Sequence, residues 1–295
     1  MIATTGFFDG VHLGHRLVIE RLVSLARERG DESLVVTFWP HPRAVLQDGA
    51  RELRLLNSLE EKKELLRSLG VDRVEVLDFT RSFAALTAEQ YLREILRDRF
   101  GVTTLLMGYD NRLGSDRLTA DTLKPIAGGI GMELRELLPL SFRPSEASGE
   151  ISSTQIRTAL ENGDIVSAAE MLGYGYSLKG VVVAGNRLGR TIGFPTANMK
   201  LYEPLKLVPG RGVYVVEAEV LGKKYRGMTN IGLRPTVGGS FTTIETHILD
   251  FDEDIYGLPL RITFLRRLRD EVHFPSLEAL KDQLEKDRDC CREQK

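Results

Sequence analysis

His12 and His15 stand three positions apart in the segment TGFFDGVHLGH, just before an apolar pattern of helical spacing. Gly10 and Gly14 beside them carry no Cβ and would let a ligand approach the backbone closely. Because the N-terminus of a helix attracts anions, the two imidazoles could donate hydrogen bonds to a phosphate held there. Zinc binding completed by His41 or an aspartate, and a structural pair without a chemical role, remain alternatives.

A second group of polar residues lies in ISSTQIR, residues 151–157. At the start of a helix, Ser153 and Thr154 would present hydroxyls to an anion. Arg157, one turn later, could bind phosphate oxygens in bidentate fashion. Simple N-capping by serine, together with a solvated arginine, explains the same residues without a ligand.

A glycine-rich segment, AGNRLGRTIGFPTANM, covers residues 184–199. Thr196 and Asn198 at its end offer the hard oxygen ligands that Mg²⁺ prefers. The glycines that permit tight turns around a ligand are Gly185, Gly189 and Gly193. The segment lacks the Gly-Lys-Ser/Thr ending of a Walker P-loop, and an ordinary turn with an Asx motif is the alternative interpretation.

Glu245 stands in the middle of an apolar strand pattern, TTIETHILDF. A carboxylate there is costly to bury without a partner, so it either lies on a solvated face or performs chemistry. In phosphoryl transfer, a carboxylate can orient a hydroxyl nucleophile and accept its proton. The acidic segment DFDEDIYG that follows lacks the spacing of an EF-hand, and we interpret it as a hairpin connection.

The elements that must position these residues change in type along the chain. The first half alternates between strand and helix patterns, with capping boxes at Ser58–Glu61 and Thr87–Gln90. This alternation predicts a parallel sheet covered by helices on both faces. Past about residue 175 helical periodicity disappears for about a hundred residues, and turn-separated β patterns predict a small antiparallel barrel or sandwich. A terminal helix, SLEALKDQLEKDRD, follows.

Composition limits the classes of partner. The chain has 295 residues and a formal net charge of −2, so it lacks the broad basic surface typical of nucleic-acid binding. Cys290 and Cys291 are adjacent and have no other cysteine to pair with, which fits a reducing compartment. We see no signal peptide and no membrane-spanning apolar run. These features predict a cytoplasmic protein with small-molecule partners and no membrane or nucleic-acid partner, and they leave a homo-oligomer open.

Combined motifs carry a family resemblance. GFFDGVHLGH, TFWPHP, GYDNRLG and ISSTQIR, in this order, resemble the N-terminal half of prokaryotic bifunctional FAD synthetases, the riboflavin kinase/FMN adenylyltransferases. GNRLGRTIGFPTAN, NIGLRPTVGG, ETHILDFDEDIYG and the segments that follow resemble their riboflavin kinase domain. The resemblance implies a Rossmann-like α/β nucleotidyltransferase domain (1–158), a helical linker (159–175) and a six-stranded antiparallel barrel with a C-terminal helix (176–295).

The resemblance also implies two reactions. The barrel domain would transfer the γ-phosphate of ATP to riboflavin, and the first domain would adenylate the resulting FMN with a second ATP to form FAD. ATP would be the co-substrate of both, Mg²⁺ the cofactor, and flavins the substrates and products. A kinase that makes only FMN, with a degenerate first domain, and a non-catalytic flavin- or nucleotide-binding regulator are the alternatives.

Residue roles follow from the same resemblance. Glu245 would be the general base of the kinase, and His12 and His15 would stabilise the triphosphate and the transition state. Thr196 and Asn198 would bind Mg²⁺ with its nucleotide. The other residues expected to bind ATP or its phosphates are Gly6, Phe8, Asp9, Gly14, Ser153, Thr154, Arg157, Gly185, Arg190 and Gly193. The residues expected to bind the flavin are His41, Tyr109, Asp110 and Asn111.

Two departures from the family pattern concern the first domain. Phe7 stands where the family usually has an asparagine, and a phenyl ring cannot donate the hydrogen bonds of an amide. Asn111 and Leu113 stand where the family tends to have aromatic residues, so stacking on a flavin would be weaker there. Tyr109 could supply part of that contact.

Overall fold

The computed structural model describes residues 1–46, 53–108, 111–137, 151–185, 188–236 and 239–292. The chain divides into two compact units, Met1–Ser152 and Ser153–Lys295, and each is described by itself. The predicted domain boundaries at 158 and 175 stay a prediction. No helix within the described ranges is long and apolar enough to cross a membrane.

The first unit contains a five-stranded sheet in which every pair of neighbouring strands is parallel. The strand order is β3-β2-β1-β4-β5, so the chain moves to one side of β1 and then to the other. The strands are β1 (Ile2–Thr5), β2 (Ser33–Trp39), β3 (Arg73–Asp78), β4 (Thr104–Gly108) and β5 (Glu133–Leu137).

Helices cover both faces of this sheet, as the strand–helix alternation predicts. Leu22 and Leu66 pack with Ile2 in one apolar core, and Leu92 and Leu123 pack in another core on the opposite face. The helices are α1 (Leu13–Arg29), α2 (Pro42–Leu46), α3 (Leu59–Ser68), α4 (Arg81–Ala84), α5 (Ala88–Gln90), which continues as a π-helical stretch (Tyr91–Arg99), and α6 (Ala120–Gly129).

Two helices of this unit begin at the capping boxes that the sequence predicts. Ser58 accepts from the backbone N–H of Glu61, whose side chain accepts from the backbone N–H of Ser58, and Thr87 with Gln90 forms the same reciprocal box. Both predicted capping boxes are therefore confirmed. By contrast, α6 and β5 have no counterpart in the sequence predictions, because Pro125 lies inside α6 and glycines follow it.

The second unit begins with two short helices and then forms a closed barrel. The strand order is β10-β7-β6-β11-β8-β9, and all neighbours are antiparallel. The strands are β6 (Ser177–Val183), β7 (Ala197–Leu201), β8 (Gly212–Val220), β9 (Lys223–Thr236), β10 (Gly239–Ile248) and β11 (Pro259–Arg269). The helices are α7 (Ser153–Glu161), α8 (Ile165–Leu172), α9 (Leu188–Thr191) and α10 (Leu277–Arg292).

Helix α10 covers part of the outer surface of the barrel. It packs against β9, and its buried Cys291 joins an apolar cluster with Val215 and Met228. The guanidinium of Arg269 on β11 donates to both carboxylate oxygens of Asp287 on α10, with a shortest distance of 2.7 Å. These contacts hold α10 against β9 and β11.

The expected hairpin at DFDEDIYG is wrong. Strand β10 pairs with β7 and β9, whereas β11 pairs with β6 and β8. The connection therefore crosses from one part of the barrel to another, and the N–H of Gly257 donates to Val182 on β6 on the way. An acidic turn sequence is typical of both a hairpin and a crossover connection. The sequence therefore cannot distinguish them, because strand order depends on pairing between distant segments.

Candidate functional site

The loop after β1 lies where the strand order of the parallel sheet reverses. Because β2 lies on one side of β1 and β4 on the other, their connections leave a crevice at the carboxyl end of β1. The segment of residues 6–12 occupies this position. The fold thus brings the sequence-predicted histidines to the place where open α/β sheets usually bind ligands.

Unusual backbone angles shape this loop. Phe8, Gly10 and Val11 have φ values of 53°, 84° and 38°, in the left-handed region. A β-branched residue is rare there, and such strain concentrates at functional sites. The turn makes His12 the N-cap of α1, where its side chain forms no capping hydrogen bond and no acidic residue occupies the first turn. The N-terminus of α1 therefore presents N–H groups and a positive dipole end to an anion.

The two histidine rings lie face to face. Their centroids are 3.7 Å apart and their planes differ by 21°. Gly14 makes room for them, because a Cβ there would approach the His12 ring to 3.2 Å. The ring of Phe8 meets His15 edge-on at 5.3 Å between centroids, and a Cβ at Gly6 would approach the Phe8 ring to 3.1 Å. Gly6, Phe8 and Gly14 therefore support the histidines through packing.

Burial keeps both histidines neutral at neutral pH. It lowers the pKa of His12 from 6.5 to about 4. Burial lowers the pKa of His15 well below its ordinary value, and the charges of His12 and Lys62 lower it further. A neutral imidazole has one donor and one acceptor nitrogen. In the described part of the chain, the buried Nδ1 atom of each ring has no hydrogen-bond partner. Each ring therefore has a buried polar atom that no described residue satisfies, which is uncommon in a folded protein.

The geometry argues against zinc at this pair. Stacked rings direct their lone pairs side by side, whereas a tetrahedral ion needs ligands that converge. Among the described residues, no group of three or more His, Cys, Asp or Glu side chains could hold a metal ion.

A buried lysine behind the loop was missed by the sequence reasoning. Lys62 of α3 is completely buried, with its Nζ 3.5 Å from the Phe7 ring centroid and 3.5 Å from Thr37 Oγ1. Burial lowers the pKa of Lys62 to about 8, and the charge of Asp9 opposes this effect. The signal in the sequence is its spacing from Leu66 and Leu69, which places a lysine on the apolar face of α3.

Three other predicted residues of the first unit have identifiable positions. Asp9 is buried, and its carboxylate accepts from the backbone N–H of Leu56 at 3.0 Å. The ring of His41 contacts Phe7 edge-on at 4.2 Å. Asn111 is exposed. Tyr109 and Asp110 lie outside the described residues, and Leu113, at one of the two departures from the family pattern, belongs to the apolar core.

Ser153, Thr154 and Arg157 lie on the first two turns of α7, at the start of the second unit. The helix begins at Ser153, so the predicted placement of hydroxyls at a helix N-terminus is correct. Their grouping with His12 and His15 stays a prediction.

The second unit holds a cavity of about 580 Å³ lined by barrel strands, the segment before β7, the segment after β11, and α10. Thr196, Asn230, Glu245 and Glu271 supply polar atoms to it. Its apolar lining comes from the segment before β7, the barrel and α10, and includes Phe194, Met228, Leu280 and Leu284. One large cavity therefore combines a carboxylate–hydroxyl group with an apolar surface.

Glu245 lies on the outer face of β10. Ile244, Thr246 and Ile248 are buried, whereas Glu245 and His247 between them are partly exposed. The solvated-face alternative is thus half correct, because this face lines the cavity. Thr196 Oγ1 donates to Glu245 Oε2 at 3.4 Å, which brings two sequence-predicted residues together across 49 positions of chain.

Close contacts and backbone conformation within the segment 184–199 require its glycines. A Cβ at Gly185 would overlap the side chain of Asn198, and a Cβ at Gly189 would overlap the carbonyl of Phe194. Gly193 has a φ of 83°. Asn198 lies on β7 opposite Glu245, so the alternative interpretation as an ordinary turn with an Asx motif is wrong at this residue. Arg190 on α9 is exposed.

Known protein families match both halves of the chain. A model of the FAD synthetase family matches residues 1–155, and a model of the riboflavin kinase family matches residues 172–295. The bifunctional riboflavin kinase/FMN adenylyltransferase of Bacillus subtilis (strain 168) is 37% identical over 292 residues, which cover 97% of this chain and 90% of that protein. The enzyme of the same name from Escherichia coli (strain K12) is 38% identical over 293 residues, which cover 99% and 92%.

A solved structure is similar over the whole chain. A macrolide-efflux protein from Streptococcus pneumoniae has a TM-score of 0.91 and 34% identity, and the match covers 100% of this chain and 94% of that one. The parallel α/β unit, the closed barrel, both family models and the near-complete coverage of the relatives agree. The chain therefore belongs to the bifunctional riboflavin kinase/FMN adenylyltransferase family.

Proposed function

We propose that this chain phosphorylates riboflavin to FMN in its second unit and adenylates FMN to FAD in its first unit, using ATP in both reactions. The contact between Glu245 and Thr196 at the cavity carries the kinase assignment. The stacked, neutral histidine pair at the uncapped N-terminus of α1 carries the adenylyltransferase assignment.

In the kinase reaction, Glu245 accepts the proton of a ribityl hydroxyl of riboflavin while that oxygen attacks the γ-phosphorus of ATP. A new oxygen–phosphorus bond forms, the bond to the bridging oxygen breaks, and ADP leaves. The apolar lining residues of the cavity suit the flavin ring, and its polar lining residues suit the ribityl chain. The carboxylate then lies beside the reacting hydroxyl.

Thr196 and Asn198 are the residues that would hold Mg²⁺ with the nucleotide. A hydroxyl and an amide oxygen are the hard ligands that this ion accepts, and Thr196 already lies beside the carboxylate of Glu245. The bound ion would neutralise charge on the phosphates of ATP. Thr196 and Asn198 thus orient the phosphates toward the hydroxyl that Glu245 deprotonates.

In the adenylyl transfer, a phosphate oxygen of FMN attacks the α-phosphorus of ATP and pyrophosphate leaves. This nucleophile is already anionic, so the site needs hydrogen-bond donors rather than a general base. His12 and His15 donate N–H groups, and the N-terminus of α1 adds backbone donors. Lys62 adds positive charge behind them, while Ser153, Thr154 and Arg157 are the further phosphate ligands proposed.

Two parts of the proposal remain: the residues of the first unit that contact FMN, and the compartment in which the enzyme works. His41, Tyr109, Asp110 and Asn111 are the residues proposed to contact FMN. The proposed compartment is the cytoplasm, where ATP is supplied and the thiols of Cys290 and Cys291 stay reduced.

The test is a product assay with riboflavin, ATP and Mg²⁺, in which FMN and FAD are separated by chromatography. We expect both flavins, with FMN appearing first. FMN alone would favour a kinase with an inactive first unit, and neither product would favour the regulator. A second reaction started from FMN measures adenylyl transfer independently of the kinase.

A further inference from the structure

Strand β7 pairs with β10 only from Ala197 onward, so the residues just before Ala197 have no strand partner on β10. Asn198 pairs with Glu245 and Ala197 pairs with Thr246, so the next residue of β10, His247, would face Thr196. Strand β7 begins at Ala197, however, and the chain before it leaves the sheet. The segment that carries Thr196 therefore needs another anchor, because main-chain pairing ends at the point where the proposed nucleotide-binding residue stands.

The side chain of His247 takes the place of the missing pair. Its Nδ1 lies 2.8 Å from the carbonyl oxygen of Pro195, and because a carbonyl only accepts, the imidazole N–H donates. The ring also contacts Phe194 at 5.2 Å between centroids. Thus one side chain of β10 contacts two successive residues immediately before Thr196.

Glu245 and His247 act on the same segment from the same face of β10. Residues two apart on a strand project to one side. Glu245 accepts from the hydroxyl of Thr196, while His247 donates to the carbonyl of the peptide that Thr196 shares with Pro195. Fixing that carbonyl fixes the plane of the peptide bond and so limits where the Thr196 side chain can point.

The surroundings of His247 suit a fixed donor. Burial lowers the pKa of His247, so the ring is neutral at neutral pH. Arg288 and Arg292 of α10 and Asp250 after β10 are the charged groups whose fields act on it. The neutral ring holds its one N–H on Nδ1, because that nitrogen faces the Pro195 carbonyl.

We propose that His247 is a positioning residue of the kinase site: it orients the Pro195–Thr196 peptide so that the Thr196 hydroxyl faces both Glu245 and the nucleotide. This inference rests on the proposed roles of Thr196 and Glu245. It assigns His247 no contact with the reacting atoms. Its effect passes through Thr196, which makes it separable from a packing role.

The experiment uses three substitutions in the full-length protein. In His247→Asn the amide nitrogen lies near the position of Nδ1 and can still donate to Pro195. In His247→Gln the donor lies one bond further out, and in His247→Leu it is lost. We expect the Gln and Leu variants to raise the KM for Mg²⁺–ATP in the kinase reaction about tenfold, the value of a typical hydrogen bond, and the Asn variant to stay within about threefold of the wild type.

A double-mutant cycle separates positioning from packing. In a Thr196→Ala background, His247→Leu should change the KM for Mg²⁺–ATP by less than about twofold, because the hydroxyl it orients is gone. Adenylyl transfer from FMN should be unchanged in all variants, which checks that the rest of the chain is intact. If the Leu variant proves unstable, the comparison of the Asn and Gln variants still distinguishes positioning from packing.

Three results would overturn the inference while leaving the proposed kinase site in place, and a fourth would overturn both. Wild-type kinetics in both His247→Leu and His247→Gln would show that the contact is dispensable, and equal losses in the Asn and Gln variants would show a packing role. Fully multiplicative effects with Thr196→Ala would remove the link to Thr196. If instead Thr196→Ala and Glu245→Gln kept full kinase activity, the proposed kinase site itself would fail, and the inference with it.

Discussion

The two proposed ATP sites of this chain solve different chemical problems with different folds. The first collects neutral hydrogen-bond donors at the N-terminus of α1, where a parallel sheet reverses its strand order. The second places a carboxylate beside a hydroxyl on the outer face of an antiparallel barrel. A phosphate nucleophile arrives already charged, whereas an alcohol must lose a proton. The comparison shows how the nucleophile, rather than ATP, determines which side chains a site needs.

The two sites also differ in what holds them together. The histidines lie within a few residues of one loop and one helix start, so local backbone angles nearly suffice to place them. Glu245 and Thr196 are 49 positions apart and meet through strand pairing. The cavity beside them further requires α10, which returns from the end of the chain. We therefore expect the second site to be more sensitive to distant substitutions.

The largest effect should come from Glu245→Gln. Losing the general base should lower the kcat of riboflavin phosphorylation about 10³-fold, while FAD formation from supplied FMN continues at the wild-type rate. Steady-state kinetics of the two half-reactions measure this. The exposed Glu253→Gln is the control and should change neither. Kinase activity above about a tenth of the wild type would remove Glu245 as the base and break the contrast between the sites.

His15→Ala should have the opposite selectivity. Removing a donor to the developing negative charge should lower the kcat of adenylyl transfer about 10²-fold, with riboflavin phosphorylation unchanged. Glu20→Gln, exposed on the same helix, serves as the matched control. An unchanged rate of FAD formation would return the histidine pair to a structural role.

Asp287→Ala tests the dependence of the second site on α10. It leaves Arg269 without its carboxylate partner and should lower the free energy of unfolding of the second unit by about 2 to 3 kcal/mol. Urea denaturation followed by a probe in that unit measures the change. Asp289→Ala, on the exposed side of the same helix, should have almost no effect. Equal stability of the two variants would show that the ion pair does not hold the helix.

The pH dependence of the stability of the first unit should report the burial of His12. In the unfolded chain His12 has a pKa near 6.5, but in the folded chain its pKa is about 4. The unfolded state therefore binds more protons between these values, and stability falls as the pH drops below 6.5. By pH 5 the first unit should lose about 2 kcal/mol from this group. Thermal unfolding from pH 7.5 to 5 measures the loss, and His12→Gln should reduce its slope.

Lys62→Met should lower the rate of adenylyl transfer less than His15→Ala does, and it should raise the stability of the first unit. Because the pKa of Lys62 is lowered to about 8, its charge makes folding less favourable at pH 7, and an apolar side chain of similar length should stabilise the first unit. Loss of the charge behind the histidines should lower adenylyl transfer about tenfold. Kinetics combined with denaturation test both parts. A stabilised variant with full activity would limit Lys62 to the core.

Several features could be predicted because their causes are local. The two capping boxes, the start of α1 at the histidine pair, and the change from helical to strand periodicity all depend on residues within a few positions of each other. The candidate residues His12, His15, Thr196 and Glu245 were found in the same way, from their types and their immediate neighbours.

Other features depend on segments that are distant in the chain. Lys62 looks like a surface lysine until α3 packs on the sheet and buries it against Phe7. The crossover at DFDEDIYG depends on which strands pair with β10 and β11. The role proposed for His247 depends on β7 beginning at Ala197, which leaves His247 one residue beyond the last residue of β10 that pairs with β7.

The sequence by itself determined the kinds of element and the order of the two units, and it supplied the candidate side chains for binding phosphate, because period, capping and residue chemistry act over short distances. Only the tertiary structure decided that the two histidines stack and stay neutral, and that Glu245 meets Thr196 beside a cavity. Burial and pairing across many residues shift protonation and bring donors to acceptors, and neither can be read from neighbours in the chain.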